Sequence, residues 1–253
     1  MGIRDNQTKI LLGLFLLGSE KLEAVKLNET FCQITDLTMN ERTKGFLSVL
    51  VKESYIEKVE SNENGSVYKL ADKGFYFLCT KFPFVRFLKD NWDGKWRIIS
   101  YEIPEVKRHL RDRLRREMEG WGLGPWHRSF WLTPHPIIEN LRDLVLGKEE
   151  EQYVQAFTAD HSFGDKIVLI KKVFKIDDLE SQYKSLFKKW YEVLSTNAEN
   201  LEKFKQVIAE YVEVLKIDPG LPVNILGSAW IGLEGWKLFN EIKSLLYKSN
   251  NNG

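Results

Sequence analysis

The stretch IPEVKRHLRDRLRREMEGWG, Ile103 to Gly122, places six basic side chains within ten residues. Val106, Leu110, Leu114 and Met118 recur among them every four positions, the spacing of one apolar stripe on an α-helix. Pro104 stands at the start, where a missing N–H costs nothing because first-turn donors have no intrahelical partner. The pattern predicts a helix docked on a sheet, with Lys107, Arg108, Arg111, Arg113, Arg115 and Arg116 on its outer surface. Glu105, Asp112 and Glu117 are interspersed, and each acid–base pair across a turn contributes only roughly 0.2–0.5 kcal/mol. Three readings of the basic face stay open: it lies along DNA phosphates, it binds an acidic effector, or it is simply solvated.

The flanking sequence sets the context. KWRIISYEI before the helix reads as a strand. GLGPWH and RSFWLTP after it read as two more, followed by the helical PIIENLRDLVLG and the strand QYVQAFTAD. Strand, helix, strand, strand, helix, strand is the ferredoxin-like βαββαβ order, and it occupies residues 91–162. Trp92, Trp96, Trp121, Trp126 and Trp131 crowd into forty residues of this region. Aromatics at that density mostly fill a core, and Trp126, His127 and Arg128 are the ones expected to be accessible.

Upstream, residues 8–17 have helical length, Leu22–Leu27 reads as a second short helix, and NERTKGFLSVLVKES as a third, capped by Thr38 or Asn40. YIEKVES, NENG and SVYKLADKG then form a hairpin around an Asn/Gly turn. Three helices and a hairpin make a winged helix over residues 1–90, in which the third helix enters the major groove of duplex DNA. Thr38, Asn40, Arg42, Thr43, Lys44 and Ser48 are the exposed candidates for base and phosphate contact, with Asn62 and Asn64 on the wing. Only a few of these are basic, and Glu41 opposes them. Downstream, residues 163–253 carry KIDDLESQYKSLFKKWYEVL and LEKFKQVIAEYVEVL, two amphipathic helices, a break at DPGLP, and a last helix near Gly232. This mostly helical segment suits dimerisation or effector binding, and the tail KSNNNG has the composition of a disordered end. The whole is an α+β chain.

Composition narrows the function. At 253 residues the chain has room for two or three domains, and 37 basic against 36 acidic residues leave a net charge of +1, so local patches decide what it binds. ILLGLFLLG (Ile10–Gly18) is too short to span a bilayer and carries no cleavage pattern behind it, which points away from membranes and toward the cytoplasm. Cys32 and Cys79 lack CxxC spacing and read as buried, reduced thiols. His109, His127, His135 and His161 are scattered, so no metal is expected. Phosphate-cradling and nucleophile-elbow motifs are absent as well. No catalytic residue and no cofactor is expected.

WDGKWRIISYEIPEVKRHLRDRLRREMEGWGLGPWHRSFWLTP (Trp92–Pro134) resembles the central segment of the PaaX-type repressors of phenylacetate degradation. That family shows a Trp-Arg strand ending in an acidic-Ile-Pro-Glu turn, an Arg-rich helix, Gly-x-Gly-Pro, and a strand ending in Ser-Pro or Thr-Pro. KIDPGLPVNILGSAWIGLEGWKLFNEI (Lys216–Ile242) resembles its Asp-Pro-x-Leu-Pro and Trp-x-Gly ending. The resemblance implies a dimeric winged-helix repressor released from a double-stranded DNA operator by a small effector, an acyl-CoA for the namesake. Arg108, Arg111, Arg115 and Arg128, with Trp126, are the residues able to meet such a ligand's phosphates or carboxylate. The central segment is also similar to the ferredoxin-like subunit of CRISPR adaptation, whose nucleases carry a metal-binding Asp where this chain has Glu102. A metal-dependent nuclease is therefore the alternative reading, although one carboxylate makes a poor magnesium site.

Overall fold

The computed structural model describes residues 3, 5–18, 22–62, 65–88 and 91–247. The elements run α1 (Asn6–Leu17), β1 (Val25–Leu27), α2 (Glu29–Thr35), α3 (Glu41–Lys52), β2 (Ile56–Asn62), β3 (Gly65–Leu70) and α4 (Asp72–Cys79). They continue with β4 (Lys95–Tyr101), α5 (Arg108–Gly120), β5 (Gly124–His127), β6 (Phe130–Thr133), α6 (Ile138–Val145) and β7 (Val154–Asp160). Helices α7 (Lys166–Phe174), α8 (Ile176–Leu194), α9 (Asn200–Leu215), α10 (Val223–Leu226) and α11 (Ile231–Leu246) follow. Contacts divide the chain into two units, one from 1–79, 183–215 and 231–253, the other from 80–182 and 216–230. The tail KSNNNG lies outside the described residues.

The first unit is built on α1, whose residues Ile10 to Leu17 are all buried. Gly13 lets α2 approach: a Cβ there would sit 2.7 Å from Thr35 Cγ2 and 2.8 Å from the Phe31 ring. On another side Phe15 stacks on Trp236 of α11 at 5.2 Å, and the cluster extends through Phe239, Tyr211 and Trp190. The C-terminal helices thus share a core with the N-terminal one, and the buried Lys243 ammonium closes it by donating to the Leu16 carbonyl at 3.0 Å.

The predicted second helix at Leu22–Leu27 is corrected. Val25–Leu27 is a short strand pairing antiparallel with β3, with Val25 opposite Tyr68, and its two ends are buried while Lys26 is exposed. The second helix begins after Asn28, whose side chain caps it by accepting from Phe31 N at 2.9 Å. The hairpin of β2 and β3 pairs Ile56 opposite Leu70 and Asn62 opposite Gly65, with a register shift between Lys58 and Glu60. Its second strand ends at Leu70, however, and Asp72–Gly74, read as part of it, open α4 instead. The sheet order is β1-β3-β2.

The second unit holds a four-stranded antiparallel sheet in the order β5-β6-β4-β7, the arrangement the βαββαβ reading requires. Ile99, Tyr101 and Trp131 of the sheet pack with Leu110, Leu114 and Met118 of α5 and Leu141 and Val145 of α6. Val106 is not part of that stripe. It is 89 % exposed, because the residues after Pro104 make a 3-10 turn (Glu105–Lys107) and the α-helix starts only at Arg108.

Candidate nucleic-acid interface

Asn40 starts α3 by accepting from Thr43 N at 2.9 Å. Burial of Leu47 and Leu50 fixes which face of the helix turns inward. One flank of the helix borders the β2–β3 hairpin around a concavity of about 340 Å³ lined by Lys44, Ser48, Lys58, Ser66 and Tyr68 together with Leu27, Met39, Leu47 and Gly65. Arg42 is exposed without an acidic partner among the described residues. Lys44 is exposed but paired with Glu41 at 2.7 Å, and Ser48 Oγ donates to the Lys44 carbonyl at 3.1 Å. Thr38 and Asn40 are also exposed.

Thr43 belongs inside rather than with this exposed group. It is 4 % exposed, and its hydroxyl donates to the Thr38 carbonyl at 2.7 Å, locking the turn that leads into α3. Asn64 lies outside the described residues, and Asn62 ends β2 opposite Gly65. Lys58, which the reading of the sequence passed over, lines the concavity directly. Its position opposite Tyr68 is a matter of hairpin register, readable once the turn is placed.

In the second unit the outer face of α5 is largely neutralised. Arg111 bonds Glu105 at 2.8 Å, Arg115 bonds Glu119 at 3.0 Å, and Arg108 stands 3.5 Å from Asp112. Arg113 is held by the buried Glu150, and Lys107 by Glu149 and the Tyr153 hydroxyl. The hydrogen bond from Arg111 holds the Glu105 carboxyl below its ordinary range, and the bond to Glu149 raises the Lys107 ammonium. Among the described residues Arg116 alone of the six has no acidic partner.

Beneath this helix GLGP (Gly122–Pro125) and DPGLP (Asp218–Pro222) interlock. Gly122, at φ +80°, leaves room for the Pro219 carbonyl, which a Cβ would meet at 2.7 Å, and Gly220, at φ +61°, lies against the Pro83 carbonyl at 2.1 Å from its would-be Cβ. His135 is wholly inside and donates from Nε2 to Pro219 O at 2.8 Å. Burial, reinforced by Arg86 and Arg97, drives its imidazole down to about 3. Arg97 is pinned by a bidentate bond to Asp93 and a bond to Pro134 O.

The PaaX protein central Cas2-like domain matches residues 89–167, and the PaaX-like protein C-terminal domain matches residues 174–252. The chain belongs to the PaaX-type family. Its domains are those of a family of transcriptional regulators. No curated protein matches the chain. Among solved structures it is similar to "Uncharacterized protein Rv0674 from Mycobacterium tuberculosis", at 18% identity and TM-score 0.53, over 98% of this chain and 99% of that one. That likeness concerns the fold.

The PaaX-type effector candidates do not gather in one place. Arg115 lines a concavity of about 420 Å³ with the two interlocked motifs. Trp126, 43 % exposed, lines another of about 400 Å³ with Trp96, Ile98, Leu132, Phe163 and Leu169. Arg108 and Arg111 line neither, and exposed Arg128, at φ +39°, sits in the β5–β6 turn. The remaining accessible tryptophan expectation holds for Trp126, while Trp96, Trp121 and Trp131 are core. Glu102 is exposed beside Gln152, Tyr153 and Gln155 in a shallow concavity with no second carboxylate among its lining residues. Among the described residues no three His, Cys, Asp or Glu side chains cluster as a metal site. No described helix is long and apolar enough to cross a membrane.

Proposed function

We propose that this PaaX-type chain is a DNA-binding transcriptional repressor that reads a two-fold operator as a homodimer, with α3 in the major groove and the β2–β3 hairpin as a wing on the flanking backbone. The observation that carries the reading is the concavity between α3 and the hairpin, where Lys44 and Ser48 from the helix and Lys58 from the wing line one surface. The order α1-β1-α2-α3-β2-β3 supports it, as does the three-stranded arrangement β1-β3-β2. The reading includes release by a small acidic effector such as an acyl-CoA. Coupling of roughly 1–3 kcal/mol between effector and operator is enough. Since most α5 arginines already hold carboxylates, Arg116 and Arg128 are the basic groups left to meet such a ligand without breaking an ion pair.

The test is selection of bound duplexes from a random pool, followed by titration of the selected site at several salt concentrations. A two-fold site bound by two protomers, and released by an acyl-CoA, is the expected result. Equal affinity for every duplex, or one protomer per site, would sink the repressor model.

A further inference from the structure

Strand β7 closes the sheet order β5-β6-β4-β7, so one of its sides bonds β4 and, among the described residues, the other bonds no strand. Every residue of VQAFTAD except Val154 and Ala159 is exposed, including Phe157 at 53 %. Proteins normally protect such an edge with lysine, proline, a bulge or a covering segment. This one has no lysine or proline, and its register with β4 runs unbroken from Lys95 opposite Asp160 to Tyr101 opposite Val154. Its single charge, Asp160, is held by Lys95 at 2.6 Å. Phe163, Ile167 and Val168, next in the chain, are exposed too.

We infer that β7 is an interface strand whose occupant is β7 of a second copy of this chain. The inference rests on the dimeric reading above and names the surface that reading lacks. The Tyr153 carbonyl accepts from Glu102 N at 3.0 Å, so it faces β4. Alternation then turns the backbone groups of Gln155, Phe157 and Ala159 toward β4 and those of Ala156 and Thr158 outward. A row of outward N–H and C=O groups is satisfied by an extended strand, and this strand complements itself. Placed antiparallel about a two-fold axis at Phe157, it sets Ala156 against the partner's Thr158, Gln155 against the partner's Ala159, and Val154 against the partner's Asp160. No like charges oppose each other. Phe157 meets its own copy as a non-hydrogen-bonded pair, with Cα atoms about 4.5 Å apart. An unrelated peptide lacks this symmetry and would leave the register unspecified.

Cysteine pairing reads the register directly, since Cys32 and Cys79 are buried and contribute little background. Under mild oxidation full-length Phe157→Cys is expected to form a disulfide-linked dimer, because disulfides need Cα separations of about 4.4–6.8 Å. Gln155→Cys alone is not, whereas an equimolar mixture of Gln155→Cys and Ala159→Cys is. Thr158→Pro removes an outward donor and is expected to weaken the dimer at least about tenfold in Kd by sedimentation equilibrium, with its circular dichroism unchanged. If that variant loses its fold, the cysteine pairs decide. A monomeric wild type overturns the dimeric reading and this surface together. A dimeric wild type whose Phe157→Cys variant stays uncrosslinked, or whose Gln155→Cys variant crosslinks alone, overturns the β7 assignment and leaves the proposed function standing.

Discussion

His135 donates its Nε2 proton to the carbonyl of Pro219, 2.8 Å away and 84 residues further along the chain. The bond requires a proton on Nε2, which the imidazolium carries as well as the neutral ring. Burial selects the neutral form by lowering the group to about 3, against the bond itself, which favours the charged one.

A pH dependence follows. The unfolded chain takes up a proton on this imidazole near its ordinary pKa of about 6.5, while the folded chain does not until about 3. Between those limits the unfolded state binds more protons. Stability is therefore greatest above about pH 6.5 and falls as pH drops, by at most about 1.4 kcal/mol per unit. Urea denaturation between pH 7.5 and 5, above the carboxylate range, isolates the effect. His135→Gln should flatten the slope in that window; an unchanged slope would assign it to other groups.

Two glycines separate strain from collision. Gly94, at φ +83°, has nothing within 4 Å of its would-be Cβ, so Gly94→Ala should cost about 1–2 kcal/mol for the left-handed backbone alone. Gly220→Ala adds a clash with the Pro83 carbonyl and should cost well above about 3 kcal/mol, or prevent folding. Equal melting temperatures for the two variants would contradict the interlock.

Arg97 is nearly buried and gives Asp93 two hydrogen bonds, at 2.7 and 2.6 Å. Asp93→Ala should destabilise by about 1–3 kcal/mol, since it strips a charged donor of its main acceptor. Asp93→Asn should recover only part of that loss in chemical denaturation. A full recovery would show that the charge is immaterial.

At the proposed DNA face, Lys58→Ala and Arg42→Ala should each lower the slope of log K against log salt by about 0.9 if each meets one phosphate. Thr43→Val should behave differently. Its hydroxyl is already spent on Thr38, so the variant should lose about 1 kcal/mol of stability and keep its salt slope. Fluorescence anisotropy on a selected operator measures both.

The central βαββαβ order was legible because each element carries its own period, as Leu110, Leu114 and Met118 do on α5. What failed was decided at a distance. Val25–Leu27 is a strand because β3 lies beside it forty residues later, and three residues are too few to show a period. Val106 kept helical spacing yet fell in a 3-10 turn. Thr43 looked like a surface polar residue until its hydroxyl found the Thr38 carbonyl. Pairing along α5 was half legible: Arg108–Asp112 and Arg115–Glu119 sit one turn apart, but Glu149 and Glu150 arrive from beyond α6. The stacking of Phe15 on Trp236 had no local sign at all.

The interlock of GLGP with DPGLP also bears on how the chain can be cut. The central family match ends at residue 167, yet the unit it belongs to takes in residues 216–230, and Val173 presses against Gly124. A fragment trimmed to residues 89–167 would leave His135 without the Pro219 carbonyl that accepts its proton, and Gly122 facing the space of two missing prolines. The boundary of the family match and the boundary of the compact unit are different lines in this protein, and expression of residues 89–167 alone should yield an aggregating polypeptide where the intact chain yields a soluble one.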